Sequence, residues 1–273
     1  YTFNAGFKKK DNDLLILTFE KTVSVVAAYS KTSTPSAPII WDKKNNIGYC
    51  KSLIVNSGNA NAHTGKKGIK EIEKYTKKAS QIFQCKQNEI LVSSTGIIGE
   101  QLDSKNIIDK LNNIFQTSPK GILGAAKAIR TTDTFPKVEI SKIKHKSNQV
   151  TIYGFAKGSG MIAPNMGTML AYIFIEASLR KTDLKKLLHN NIESTFNSIS
   201  VDGDTSTSDT IMIFATDLKD SKIKMNKKFF NLLSRGVHDL MLSLSKQIVS
   251  DGEGISKLIE VRVTGAKNKI QAS

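Results

Sequence analysis

Short apolar runs alternate with amphipathic segments along the chain, and this alternation constrains the fold more than any other sequence feature. The apolar runs are rich in β-branched and aromatic residues, which is typical of strands. The segments between them carry apolar residues at helical spacing. This order predicts a mixed α/β fold. The predicted strands are residues 14–19, 23–29, 53–55, 90–92, 150–153, 169–175, 211–215 and 258–263, and the predicted helices are residues 69–83, 103–115, 182–196 and 229–248.

A formal net charge of +16 in 273 residues raises the question of nucleic-acid binding. Only four of the 40 basic residues are arginine, and the lysines are spread along the whole chain. Because recognition of base edges and phosphates relies largely on arginine, we interpret the charge as a solvated lysine surface. We therefore expect no nucleic-acid partner, although a basic binding protein without catalytic activity stays open as an alternative.

The sequence also argues against a membrane protein and against a metal protein. Hydrophobic residues make up 39% of the chain, and no apolar run approaches the roughly 20 residues that a transmembrane helix needs. Two cysteines are too few for a disulfide framework, and the four histidines lack metal-ligand spacing. We expect a cytoplasmic protein with reduced cysteines, no metal and no membrane association.

Three polar segments follow apolar runs, where catalytic loops are expected. Residues 55–65 fit a structural turn. Within residues 93–99, Thr95 and Gly96 offer a hydroxyl and a backbone N–H, the donor pair that an oxyanion hole needs. Residues 131–137 combine three threonines with an aspartate, and they either bind a small polar substrate or cap a loop.

A fourth segment, residues 157–170, collects Gly, Ser and Pro before an apolar strand and places Thr168 at the strand entrance, behind Gly167. The Thr168 hydroxyl could attack the Gly167 carbonyl, and water could then open the resulting ester. The new α-amine of Thr168, with a reference pKa of about 7.7–8.0, could act as the base for its own hydroxyl. The pattern alone leaves self-cleavage as a hypothesis.

Several long motifs in one order resemble the glutamate N-acetyltransferases of arginine biosynthesis, also called ornithine acetyltransferases. The resemblance covers essentially the whole chain. It implies a mixed, layered sandwich of sheets and helices, as in the superfamily of ornithine acetyltransferases and N-terminal-nucleophile-like aminopeptidases. The motifs that carry it are residues 56–65, 93–99, 131–137, 157–170, 196–210 and 251–254.

The resemblance implies a role for individual motif residues. Thr168 corresponds to the nucleophile, freed by cleavage after Gly167, which divides the protein into an α chain of residues 1–167 and a β chain of residues 168–273. Thr95 and Gly96 correspond to the oxyanion-hole pair. The implied substrate-binding residues are Thr132 (or its neighbour Thr134), Lys157, Thr168 and Glu253.

The reaction and the partners are implied in the same way. N2-acetylornithine would donate its acetyl group to Thr168, and glutamate would collect it, in a ping-pong reaction without a cofactor. Some family members also accept acetyl-CoA as the donor, and the implied assembly is an α2β2 heterotetramer. A related N-terminal-nucleophile aminopeptidase or amidohydrolase is the alternative function.

Three differences from the family pattern bear on these expectations. Gly167 stands where many members have alanine, and both residues are small enough for the attack. His63 stands where many members have cysteine, at a position that we do not expect to be catalytic. Family members continue beyond the equivalent of Ser273, with a segment that helps to close the active site, so we expect a chain that ends there to lack part of that site.

Overall fold

The computed structural model describes residues 1–145, 148–163, 169–216, 226–268 and 271. Within these residues the strands form one mixed sheet in the order β4–β3–β2–β8–β7–β6–β5, with β1 paired to β2. The strands are β1 (Thr2–Phe3), β2 (Leu14–Tyr29), β3 (Tyr49–Asn59), β4 (Ile90–Ile97), β5 (Lys137–His145), β6 (Asn148–Lys157), β7 (Leu170–Ile175) and β8 (Thr210–Ala215). The α-helices are α1 (Ala37–Asn45), α2 (Gly65–Ile82), α3 (Ser104–Asn112), α4 (Gly121–Ala128), α5 (Lys181–Ile192) and α6 (Lys227–Val249).

The sheet folds back on itself about the long strand β2, whose register against β3 shifts between Thr18 and Val23. In a flat sheet the carboxyl ends of β4 and β6 would point in opposite directions along the strand axis, because these two strands are antiparallel to each other. Instead, Lys157 at the end of β6 reaches Thr95 near the end of β4, with 3.3 Å between Nζ and Oγ1. The fold-back therefore brings the two strand ends together.

The two halves of the sheet pack face to face, and helices cover their outer faces. The shared inner core joins Leu53 and Leu91 of one half to Phe155 and Tyr172 of the other, and α4 enters the same core. Helices α1, α2 and α3 pack on the outer face of the β3–β4 half. Helices α5 and α6 pack on the outer face of the β6–β8 half. The layers run helix, sheet, sheet, helix, which confirms the predicted mixed sandwich.

Aromatic side chains on the inner face fix the strands that lead to the site. The rings of Phe174 on β7 and Phe214 on β8 stack at 5.0 Å between centroids, and Tyr153 on β6 stacks on Phe174 at 5.2 Å. Stacked rings favour one lateral arrangement of neighbouring strands. The pairing of Lys157 with Leu170 in this region sets where β6 ends relative to β7.

The structure corrects several sequence-based expectations. The predicted strands at residues 14–19 and 23–29 form one strand, β2, and the strand predicted at residues 258–263 is wrong, because that segment is an exposed loop without a pairing partner in the described part of the chain. Strand β5 and helices α1 and α4 were not predicted. Lysines interrupt the apolar alternation of β5, α1 has a proline as its second residue, and α4 contains two glycines.

Two remaining sequence expectations concern the cysteines and the membrane. Cys50 and Cys85 are free thiols. None of the helices that the structure describes combines the length and apolar character of a membrane span.

The close approach of β3 and β4 at Gly96 gives a stability prediction. A Cβ atom on Gly96 would lie 2.3 Å from the carbonyl carbon of Gly58, and the backbone φ of Gly96 is +131°. Gly99 also has a positive φ, +91°, but open space around its Cβ position. We expect Gly96→Ala to lower the free energy of unfolding by about 2 kcal/mol more than Gly99→Ala in denaturant titrations. If the two variants lost the same free energy of unfolding, β3 would be able to move and accommodate the added methyl group at Gly96.

Candidate functional site

Residues from several separate segments of the chain meet around one cavity of about 550 Å³. It lies where the fold-back brings the ends of β4 and β6 together, and the loop after α6 closes one side. The structure brings together all the predicted site residues that it describes. They are Thr95, Gly96, Thr132, Lys157 and Glu253.

The predicted cleavage site, Gly167–Thr168, lies outside the described residues. The described chain resumes at Met169, whose N–H donates to Asp209 Oδ1 at 2.9 Å and whose carbonyl accepts from the Thr210 N–H at 3.1 Å. Leu170 then pairs with Lys157, which lines the cavity. The segment that follows Thr168 is therefore anchored beside the cavity by β6 and β8.

Lys157 brings a buried positive charge to this cavity. Its residue is only 3% exposed, and Nζ donates to Thr95 Oγ1. Burial lowers the pKa of Lys157, while the charge of Asp133, and more weakly those of Asp209 and Glu253, act in the opposite direction. An ammonium group held this way attracts a carboxylate strongly, because few other groups compensate its charge.

A buried network of ion pairs contains Asp133, the carboxylate that interacts with Lys157. Lys137 Nζ lies between two carboxylates, 2.7 Å from Asp133 Oδ1 and 2.6 Å from Asp251 Oδ2, and all three side chains are at most 3% exposed. Asp133 Oδ1 also accepts the Gly158 N–H at 2.7 Å. Burial by itself would raise the pKa of Asp133, but the charges of Lys157 and Lys137 hold that pKa below its ordinary value. The network thereby joins the start of β5, the end of β6 and the segment after α6.

The turn after β6 is held by contacts on both sides. Ser159 Oγ lies 2.7 Å from Thr132 Oγ1, and the Ser159 carbonyl accepts the Glu253 N–H at 2.7 Å. A Cβ atom on Gly160 would come within 3.1 Å of the Glu253 carboxyl group. Glycine at this position therefore leaves the room that lets Glu253 approach the turn and face the cavity.

The structure distinguishes Thr132 from the alternative Thr134. The N–H of Thr134 donates to Asp251 Oδ2 at 3.0 Å, and its hydroxyl donates to the same carboxylate. Thr134 is thus part of the buried network, whereas Thr132 lines the cavity. Of the two, only Thr132 is placed to contact a substrate.

Thr95 and Gly96 are positioned by a distorted end of the β3–β4 ladder. Their partners across the ladder are Ser57 and Gly58, and the pairing becomes irregular at Gly58. Residues 55–65, predicted as a structural turn, supply much of this support, but residues 55–59 are the end of β3 and only the part after Asn59 is a loop. Ser94 Oγ of β4 donates to Asn56 Oδ1 of β3 at 2.6 Å, and Gly58 and Ala60 also line the cavity.

Sequence reasoning did not single out four charged residues of the site. They are Asp133, Lys137, Asp209 and Asp251. Each stands inside a segment that was recognised as polar, but nothing in a linear pattern separates a buried carboxylate from a solvated one. The spacing of Asp133 and Lys137, four residues apart, was the one available signal.

The charged groups include no arrangement typical of a metal centre. Among the described residues, no group of three or more His, Cys, Asp or Glu side chains is placed to hold a metal ion. The cavity instead presents hydroxyls, the ammonium groups of Lys8 and Lys157, and the carboxylates of Asp202, Asp204 and Glu253. This donor set suits a small zwitterionic ligand better than a hard cation.

A sequence model of the ArgJ family matches residues 1–273, the whole chain. The chain belongs to the ArgJ family. An ArgJ relative from Bradyrhizobium diazoefficiens, named an arginine biosynthesis bifunctional protein, is 41% identical over 99% of this chain and 68% of its own length. The chain thus spans about two thirds of the length of that relative.

Solved structures agree with this ArgJ assignment. The arginine biosynthesis bifunctional protein of Bacillus halodurans matches with a TM-score of 0.55 and 33% identity, over 62% of this chain and 88% of that chain. Ornithine acetyltransferase of Mycobacterium tuberculosis, solved with ornithine, gives 0.53 and 26% identity, over 62% and 90%. An L-aminopeptidase of Ochrobactrum anthropi with a variant Ntn-hydrolase fold gives 0.52 at 10% identity, over 88% and 78%, which shows the shared fold alone.

Removing the cation of the buried network gives a second prediction. Lys137→Met removes the ion-pair partner of Asp251 and leaves Asp133 with the charge of Lys157 alone, so we expect the free energy of unfolding to fall by about 3–5 kcal/mol at pH 7. Lys142→Met, on the exposed side of the same strand, is the control and should change it by less than about 0.5 kcal/mol.

The pH dependence of that loss follows from the carboxylates. The pKa values of Asp133 and Asp251 are lowered in the folded protein, so their stabilisation is present above about pH 4 and is lost as pH falls. The difference between wild type and Lys137→Met in denaturant titrations should therefore shrink below about pH 4. A difference that stays constant down to pH 3 would contradict an ionic origin.

Proposed function

We propose that this protein is an acetyltransferase of arginine biosynthesis that moves the acetyl group of N2-acetylornithine to glutamate. The observation that carries the proposal is the meeting of Thr95, Gly96, Lys157 and Glu253 around one cavity, beside the segment that follows Thr168. Membership of the ArgJ family supports it, as does the ornithine complex of the acetyltransferase from Mycobacterium tuberculosis.

The charges of the cavity suit both substrates. N2-acetylornithine and glutamate each carry a carboxylate and an ammonium group. Lys157, buried with its ammonium group at the cavity, would bind the carboxylate, and the accessible Glu253 would meet the ammonium group. One pair of protein charges would thereby orient first the donor and then the acceptor.

In the proposed mechanism, the chain first cleaves itself between Gly167 and Thr168. The freed α-amine then removes the proton of the Thr168 hydroxyl, which attacks the acetyl carbonyl of N2-acetylornithine. Thr95 and Gly96 stabilise the oxyanion, and a single such donor is worth about 100- to 1000-fold in rate. Ornithine leaves, and the α-amino group of glutamate attacks the acetyl-Thr168 ester to form N-acetylglutamate.

The remaining features belong to the same proposal. The self-cleaved chains would form a cytoplasmic α2β2 heterotetramer without a cofactor. Acetyl-CoA would be a second donor to the same Thr168 hydroxyl, because its thioester requires the same nucleophile and the same oxyanion donors.

Self-cleavage is tested by intact-mass measurement of the full-length protein. Wild type should give two fragments that meet at Gly167 and Thr168, while Thr168→Ala should remain one chain, because alanine has no hydroxyl to attack the carbonyl. Brief incubation of the cleaved protein with N2-acetylornithine should add one acetyl group to the fragment that begins at Thr168. Uncleaved wild type would contradict the maturation step, and release of acetate without dependence on glutamate would favour the hydrolase alternative.

Substrate orientation is tested with Glu253→Gln. Loss of the negative charge should raise KM for N2-acetylornithine by about 10- to 100-fold, the equivalent of one charged hydrogen bond, with a smaller effect on kcat. Self-cleavage should be unaffected. Glu260→Gln, at an exposed position of the following loop, is the control. A fall in kcat at unchanged KM would assign Glu253 to the chemical step instead.

A further inference from the structure

Asp209 differs from the other groups near the cavity because its carboxyl is completely buried and only one of its two oxygens has a hydrogen-bond partner among the described residues. Its residue is 0% exposed, and it directly precedes β8. Oδ1 accepts the Met169 N–H at 2.9 Å, whereas Oδ2 has no hydrogen-bond partner in the described part of the chain. A buried polar atom without a partner is costly, so its presence calls for an explanation, of which a catalytic role is one.

The groups around Asp209 offset its burial only in part. The Met169 N–H and the hydroxyls of Ser206 and Ser30 favour the charged form of the carboxyl. Oδ2 nevertheless has no hydrogen-bond partner among the described residues. Lys157 is the charged group that acts on Asp209, and Asp133 competes for that charge. Burial therefore raises the pKa of Asp209 to about 8, so the carboxyl is largely uncharged at neutral pH.

A hydrogen bond links Asp209 to the residue that follows the proposed cleavage site. It holds the N–H of Met169, the residue that directly follows Thr168. Consecutive backbone nitrogens are joined through three covalent bonds and are never more than about 3.7 Å apart. The nitrogen that self-cleavage must release is the one that precedes Met169 N.

We propose that Asp209 is the proton donor for self-cleavage between Gly167 and Thr168, a step that rests on the proposed function. Thr168 Oγ forms a bond to the Gly167 carbonyl carbon, and the C–N bond of the Gly167–Thr168 peptide breaks. The released nitrogen takes the proton of Asp209 Oδ2, and the proton of the Thr168 hydroxyl returns to the carboxylate. Water then hydrolyses the ester, giving the Gly167 carboxyl group and restoring the Thr168 hydroxyl.

The acid strength of the buried carboxyl supports this assignment. The new α-amine has a reference pKa of about 7.7–8.0, which matches the raised pKa of Asp209, about 8. A general acid is most effective when its pKa lies near the working pH and near that of the group it protonates. An ordinary, solvated aspartate would be ionised at neutral pH and would have no proton to give.

The test measures self-cleavage of Asp209→Asn by intact mass at successive times after synthesis. Asparagine keeps the size of the side chain and an oxygen for the Met169 N–H, but its amide is far too weak an acid to donate the proton. We expect cleavage to slow by about 100-fold or more, which is typical for loss of a general acid. Cleavage of Asp209→Asn at the wild-type rate would overturn the proposal.

Asp42→Asn is a matched control. Asp42 is also completely buried, accepts one backbone N–H (from Val92, at 3.1 Å) and has an Oδ2 without a hydrogen-bond partner among the described residues. Its pKa is also raised by burial, but it lies on α1 and does not line the cavity. Asp42→Asn should cleave like wild type. If both variants slow equally, the effect is one of folding and the proposal is wrong.

The wild-type protein gives a readout that does not depend on how a variant folds. The cleavage rate should be constant below pH 8 and should fall about tenfold per pH unit well above it, because the carboxyl loses its proton. A rate that rises through pH 8 would overturn the proposal, since it would assign Asp209 to a base. A wild-type chain that never cleaves at Gly167–Thr168 would refute the proposed function itself, whereas equal cleavage of wild type and Asp209→Asn would refute only the donor.

Discussion

The contact on which the site depends is the one between Lys137 and the two carboxylates of Asp133 and Asp251. Three buried charges in one place are costly unless each finds its partners. Here Asp133 and Asp251 share one ammonium group, and the Gly158 N–H satisfies a further lone pair of Asp133. Because the partners come from β5, the end of β6 and the segment after α6, the network cannot form unless these elements are correctly arranged.

The same network also influences the charge balance of the cavity, because Asp133 interacts with Lys157. Asp133 interacts with both Lys137 and Lys157, so Lys157 shares this carboxylate with a second lysine. The charge of Lys157 is therefore compensated only in part, which suits the proposed binding of a substrate carboxylate. Asp209, by contrast, stays largely protonated at neutral pH, which keeps one more negative charge away from the place where the proposed reaction would form an oxyanion.

The sequence predicted the composition of the fold better than its arrangement. Apolar runs identified β4, β7 and β8, because most of their residues are buried on both faces and need little alternation, whereas β6 was identified by its alternation at residues 150–153. The predicted strands broke at residues 20–22, where the register of β2 shifts between Thr18 and Val23, but nothing in the pattern shows that one strand continues through the break or that the sheet folds back there. Residues 258–263 have strand-like alternation but find no partner strand among the described residues, so the pattern alone was misleading.

The sequence singled out the residues whose expected role depends on residue type, but it missed the residues whose properties depend on burial. Thr95, Gly96 and Lys157 belong to recognisable motifs, and the structure places them around one cavity. Asp209 and Asp133 are both aspartates in polar segments, yet burial and neighbouring charges move their pKa values in opposite directions. That difference arises only from the folded environment. Two lysines outweigh the burial of Asp133, whereas the groups near Asp209 do not outweigh its burial.

In the proposed function, self-cleavage and acetyl transfer place different demands on one set of groups, and their order resolves the conflict. Before cleavage the Thr168 nitrogen is an amide and cannot act as a base, and in our proposal the protonated carboxyl of Asp209 releases it. After cleavage the same nitrogen is an amine with a reference pKa of about 8 and can activate the hydroxyl without help. Asp209 would then be needed only once as an acid, while its hydrogen bond to the Met169 N–H continues to hold the start of β7 at the cavity.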